Sequence, residues 1–161
     1  MNNSYAVTVS HAVSCPKSTS NMVWVDGNSV GLGCLGFSSK AGYRRSNSPL
    51  AINVCKKAHS KAHLVEIYNK SQIRFMMSAK VENYVYSKIG ARGWTWWIGG
   101  EGKHGRWKWT HSNKPIKYWA TIGNLYGYKG YQYLQLKLSK TKGYFLGFYN
   151  KKCQMICQIS K

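Results

Sequence analysis

Five tryptophans fall within sixteen residues between Trp94 and Trp109, in the stretch WTWWIGGEGKHGRWKW. No other segment constrains the fold so strongly, because that much indole surface has to be removed from water. Trp96, Trp97 and Ile98 are bulky, β-favouring residues followed by Gly99 and Gly100, which predicts a buried strand stopping at a turn. Beyond it, Arg106, Lys108 and Thr110 alternate with Trp107 and Trp109. A period of two places the indoles on one face of a second strand and the cations on the other.

The chain has 161 residues, about one domain's worth, and 24 Lys and Arg against 4 Asp and Glu, a formal net charge of +20. A protein so charged attracts polyanions whatever its fold. Acidic or sulfated polysaccharide, nucleic acid, anionic membrane and silica all satisfy the charge equally. The acids are Asp26, Glu66, Glu82 and Glu101. With so few, no carboxylate pair and no nucleophile with a spaced base can be nominated, so an enzyme is the least supported class.

Cysteines stand at 15, 34, 55, 153 and 157 with no C-x-x-C pair, which points to disulfides and a secreted or lumenal compartment. Asn2 and Asn69 begin Asn-x-Ser glycosylation sequons. Residues 1–14 carry no signal-peptide pattern and read as a polar lead-in strand, so either a leader lies upstream of Met1 or the case for export rests on the cysteines alone. No apolar run reaches the length of a membrane span.

Met22 to Val25 followed by Asp26-Gly27 predicts a hairpin. Ser48-Pro49 is a helix start, with Leu50, Ala51, Val54, Cys55 and Ala58 as its apolar stripe and an end near Ser60. Cys55, His59 and His63 would share one face of a longer helix as soft-metal ligands. The plainer reading leaves both histidines solvated beyond the helix end. Asn69 or Ser71 caps a second helix running to about Glu82, with Ile73, Met76, Met77 and Val81 facing inward. The segment from Trp109 to Tyr133 reads as loop. Strands follow at Tyr133 to Leu136, Tyr144 to Tyr149 and Gln154 to Ile159.

WIGG at 97–100, G-R-W-K-W at 105–109, LVEI at 64–67 with Gln72 and Phe75, and ICQ at 156–158 together resemble the motifs of C-type lectin-like domains over residues 15–161. The resemblance implies an α+β fold with two helices packed on antiparallel sheets and a long loop region. It also implies disulfides Cys15–Cys34, unless these two pair elsewhere, and Cys55–Cys157. Cys153 then has no partner, since Tyr133 occupies the position of its usual mate. That leaves a free thiol or a bridge to a second chain, and hence a homodimer or matrix crosslink.

Sugar-binding members of that family hold calcium through an EPN or QPD triplet and a WND triplet. Ile122-Gly123-Asn124 and Phe148-Tyr149-Asn150 stand in those places and keep no carboxylate, so no metal or other cofactor is expected. Aromatic and basic residues take over the long loop: Arg106, Lys108, Lys114, Lys117, Tyr126, Tyr128 and Lys129 are the candidate ligand-binding set. Aromatic faces stack on sugar rings while Lys and Arg pair with sulfate or carboxylate. Calcium-independent binding of an acidic glycan is the resulting expectation. The alternatives are a structural matrix or biomineral protein and, against the cysteine pattern and without a recognised motif, a nucleic-acid binder.

Overall fold

The computed structural model describes residues 12–44, 50–89, 95–125, 131–139, 141–148 and 151–160. Strands β1 (Met22–Asp26) and β2 (Cys34–Tyr43) form the first hairpin, and α1 (Leu50–Ala58) and the two-residue β3 (His63–Leu64) follow. Next come α2 (Lys70–Met76), α3 (Ala79–Ile89), β4 (Thr95–Lys103) and β5 (Arg106–Trp109). The chain ends on β6 (Thr121–Leu125), β7 (Tyr131–Leu138), β8 (Gly143–Phe148) and β9 (Lys152–Ile159). The sheet runs β1-β2-β9-β4-β7-β8-β6, with β3 on β9 and β5 on β4. Most pairs are antiparallel, but β4–β9 and β6–β8 are parallel.

Strand alternation sorts the apolar side chains into two layers. Phe37, Trp96, Ile98, Leu134, Leu136, Phe145 and Ile156 face one core together with Ile73 and Met76 of α2 and Val81 and Val85 of α3. Trp24, Trp97, Tyr133, Met155 and Cys157 face the other with Ala51 and Cys55 of α1. The sheet is therefore covered on both sides, which explains why its central strands are buried throughout. Trp97 is fully buried, and its indole N–H donates to the Gly42 carbonyl at 3.0 Å.

Several expectations need correction. Gly99 and Gly100 do not stop β4, which runs on to Lys103. A Cβ on Gly99 would lie 2.8 Å from the Leu64 carbonyl oxygen, and one on Gly100 2.4 Å from Leu134 Cδ1. These glycines are places where neighbouring chain presses onto the strand. The second helix divides: Met77 N–H bonds back to Ile73 O, closing α2, and Ser78 Oγ accepts from Val81 N at 3.3 Å to start α3. Three helices, not two, thus pack on the sheet among the described residues. The span read as loop before Tyr133 contains β6, and β7 begins at Tyr131. The β1–β2 connection is a 3-10 turn over Asn28–Val30 rather than a two-residue turn. Residues 12–14 form no strand, and Ser48-Pro49 lies outside the described residues.

Two disulfides, Cys15–Cys34 and Cys55–Cys157, lie in the second of the two layers and close sequence separations of 19 and 102 residues. No helix is long and apolar enough to cross a membrane among the described residues.

Candidate functional site

The β4–β5 hairpin turns through His104 (φ 54°) and Gly105 (φ 76°). Positive φ at both central residues is the twist-matched two-residue turn, and it fixes the register so that Lys103 faces Arg106 and Glu101 faces Lys108. On the other side of β4, Lys103 faces Tyr131 of β7, with its Nζ 4.8 Å from the ring centre. Two cations directly opposite each other cost a hairpin stability. The Tyr131 ring beside Lys103 offsets part of that cost through a cation–π contact.

A cleft of about 540 Å³ opens here, with Lys103, His104, Arg106 and Lys108 around Trp107 and Tyr131. Trp107 is half-buried, lies against Gly102 and meets Trp119 edge-on at 5.8 Å. Trp109, one turn of the alternation further on, is wholly in the core. Glu101, the one acid in the cleft lining, is 3.5 Å from Lys108 Nζ, which also donates to Asn113 Oδ1 at 3.0 Å. Among the described residues neither Lys103 nor Arg106 forms an ion pair with a carboxylate.

Of the sequence-derived set, the structure brings Arg106 and Lys108 into the cleft. Lys114 sits apart, with Nζ 5.9 Å from the Tyr68 ring centre, and Lys117 is exposed but does not line the cleft. Tyr126, Tyr128 and Lys129 lie outside the described residues, as does Asn2. Sequence reasoning missed Lys103 and His104. The turn residues His104-Gly105 were the available signal, because a two-residue turn fixes which cations face each other.

Two buried charged groups brace the chain on either side of the β4–β5 hairpin's base. Arg44 is 3% exposed and donates from Nη1 to the carbonyls of Ile98 (2.9 Å) and Gly100 (2.8 Å) and from Nη2 to Thr110 Oγ1 (3.2 Å). Its guanidinium lies 4.4 Å from the Tyr133 ring centre, and burial pulls its pKa down to about 10, opposed by Glu101. It remains a cation at neutral pH and pins the base of the β4–β5 hairpin. Glu66 is 2% exposed and accepts from the backbone N–H groups of His111 (2.9 Å) and Ser112 (3.0 Å), and from the Tyr68 hydroxyl. Burial and then the bond to Glu66 push the Tyr68 phenol up to about 12.

His63 is not a solvated terminal residue. It is 6% exposed, bonds the Leu64 carbonyl through Nδ1 (2.8 Å) and Ser160 Oγ through Nε2 (2.9 Å), and stacks on His111 with ring centres 3.6 Å apart. Burial foremost lowers its pKa below 6.5; His111 and Lys56 act in the same sense, while the Leu64 carbonyl and Glu66 oppose. A histidine held neutral by the fold binds fewer protons than its unfolded counterpart, so stability is full above about pH 6.5 and declines as pH falls below it. Unfolding in urea between pH 7.5 and 5 should show that decline. His63→Gln should flatten it, and an unchanged slope in the variant would assign the dependence elsewhere.

Among the described residues the acidic side chains are dispersed, most of them committed to other contacts. Asp26 is bonded to Asn28 in the first turn, Glu66 is committed to the 110–113 loop, Glu82 is on α3 and Glu101 is beside Lys108. None lies on β6 or β8, where Ile122 is 54% exposed and Phe148 is half-buried. Among the described residues no three His, Cys, Asp or Glu side chains come together as a metal would need. Tyr149 and Asn150 lie outside the described residues.

Cys153 is unpaired but 9% exposed, with Sγ 3.0 Å from the Thr95 carbonyl. Burial pushes its thiol up to about 11, against Lys151 and the Trp97 backbone. A bridge to another chain needs an accessible thiolate, and this side chain is neither. Asn69 is exposed and caps α2, its Oδ1 accepting from Gln72 N at 3.0 Å.

This arrangement of helices, sheet and disulfides is the C-type lectin-like fold. Ovocleidin-17, described as a major protein of the Gallus gallus eggshell calcified layer, superposes with a TM-score of 0.60 at 18% identity, over 86% of this chain and 96% of that one. The cow CD23 carbohydrate-recognition domain gives 0.59 at 17%, over 93% and 98%. A calcium-independent type II antifreeze protein gives 0.52 at 20%, over 94% and 98%. No family model matches the sequence, and no curated protein is similar to it in sequence.

Proposed function

We propose that this chain is a secreted, calcium-independent lectin-like protein, with its binding domain at residues 15–161, that holds acidic or sulfated polysaccharide in the β4–β5 cleft. The observation that carries this reading is the facing pair Lys103 and Arg106 beside Tyr131 and Trp107. Guanidinium and ammonium groups pair with sulfate or carboxylate, and the Tyr131 ring offers a flat apolar face to sugar. The two disulfides fit an oxidising compartment. Lys114 and Lys117, exposed outside the cleft, would add further cations to the surface.

The test is retention on neutral and sulfated glycans, with calcium or EDTA and at low and high salt, with single-stranded DNA as a control polyanion. Sulfated-glycan binding should survive EDTA and fade with salt. Lys103→Gln/Arg106→Gln should weaken it roughly tenfold to hundredfold, the worth of two contacts at about 0.7–1.4 kcal/mol each. Loss of binding in EDTA, or an unaltered affinity in the variant, contradicts the reading. A second reading, a matrix protein of a mineralised layer, draws support from the eggshell neighbour. Adsorption to silica or acidic matrix without glycan selectivity would favour it.

A further inference from the structure

A second basic groove, of about 390 Å³, lies between the start of β1, the bulged half of β2 and the last turn of α1. Lys17, Lys40 and Lys57 edge it, all three exposed, and the nearly buried Met22 and Trp24 line it. None of the chain's four carboxylate side chains is there. Three ammonium groups around a concavity with no internal counter-ion concentrate positive potential more than lysines on a convex surface do. Asn21 and Thr19 add polar groups of the kind that meet sugar hydroxyls.

The groove is remote from the β4–β5 cleft. Lys40 adjoins Ala41, which faces Gln154 of β9, and Gln154 faces Trp96 of β4. Lys103 is seven residues further along β4, about 23 Å at roughly 3.3 Å per residue. We infer that this groove is a second, independent site for an acidic polysaccharide, so that one protein molecule holds two stretches of polymer and can bridge separate chains.

A heparin-derived tetrasaccharide titrated calorimetrically at low salt tests this. The unaltered protein should take up two equivalents and Lys17→Gln/Lys40→Gln/Lys57→Gln one. Lys70→Gln/Lys80→Gln/Lys88→Gln, which removes the same charge from α2 and α3, should still take two. Light scattering with long dextran sulfate should show crosslinked particles only for the proteins that take two. A groove variant that keeps both equivalents, or that loses no more than the charge-matched control, overturns the inference. Lys103→Gln/Arg106→Gln/Lys108→Gln reports on the cleft separately: unchanged uptake there, with one equivalent lost in the groove variant, would refute the cleft and leave the groove standing. Circular dichroism melting of each variant shows that it is folded.

Discussion

A Cys55→Ala/Cys157→Ala protein is expected to lose about 4–5 kcal/mol of stability, enough to remove much of what a domain of this size possesses. The bridge closes 102 residues, and the chain entropy it withholds from the unfolded state grows with that length. It also pins α1 to β9, so the native state loses a fastening between helix and sheet. Cys15→Ala/Cys34→Ala, closing only 19 residues, should cost about 3 kcal/mol. Urea unfolding of both variants under non-reducing conditions measures the two losses. A cost below about 1 kcal/mol for the long bridge, or a reversal of the order, would show that strain or residual unfolded structure outweighs loop entropy here.

Arg44→Met should be nearly as damaging. The thioether fills much of the guanidinium's volume but offers no hydrogen to the Ile98 and Gly100 carbonyls. Each buried acceptor left alone costs about 1–3 kcal/mol, giving a total of about 2–6 kcal/mol. Arg44→Lys should recover only part of this, because one ammonium cannot reproduce the planar fork that reaches two carbonyls and Thr110 Oγ1 together. Hydrogen exchange should localise the damage: amides of the β4–β5 hairpin, Thr110 among them, should lose protection before those of β2 and β9. Uniform loss across the sheet would mean that Arg44 acts on global stability rather than on the hairpin, and a Met variant as stable as the parent would remove it from both roles.

Neither Arg44 nor Glu66 announces itself in the sequence. Arg44 stands beside Arg45 before a Ser-rich stretch and reads as one more solvated cation; only the fold carries it beneath β4. Glu66 sits in LVEI, where alternation could send it either way. What was legible followed local rules: the Trp107 and Trp109 alternation, the Asn69 cap, and the motif order that identified the fold. What was not legible depended on distant chain. Gly99 reads as a strand terminator until the Leu64 carbonyl is known to lie against it. His63 reads as solvated until β9 and His111 close over it. The cleft was half visible, because Arg106 and Lys108 lie in the tryptophan stretch, whereas Tyr131 joins them only through the pairing of β7 with β4.

The position of β9 has a consequence for synthesis. This strand pairs with β2, β3 and β4, so it joins the first hairpin to the rest of the sheet. A ribosome-bound chain that has not reached residue 152 carries β1–β2 and β4–β8 as two sheets with open edges facing a missing centre. Both edges offer unpaired backbone and apolar side chains to other nascent chains. The sheet therefore closes only after nearly all of the described chain has emerged, and the Cys55–Cys157 bridge cannot form before then.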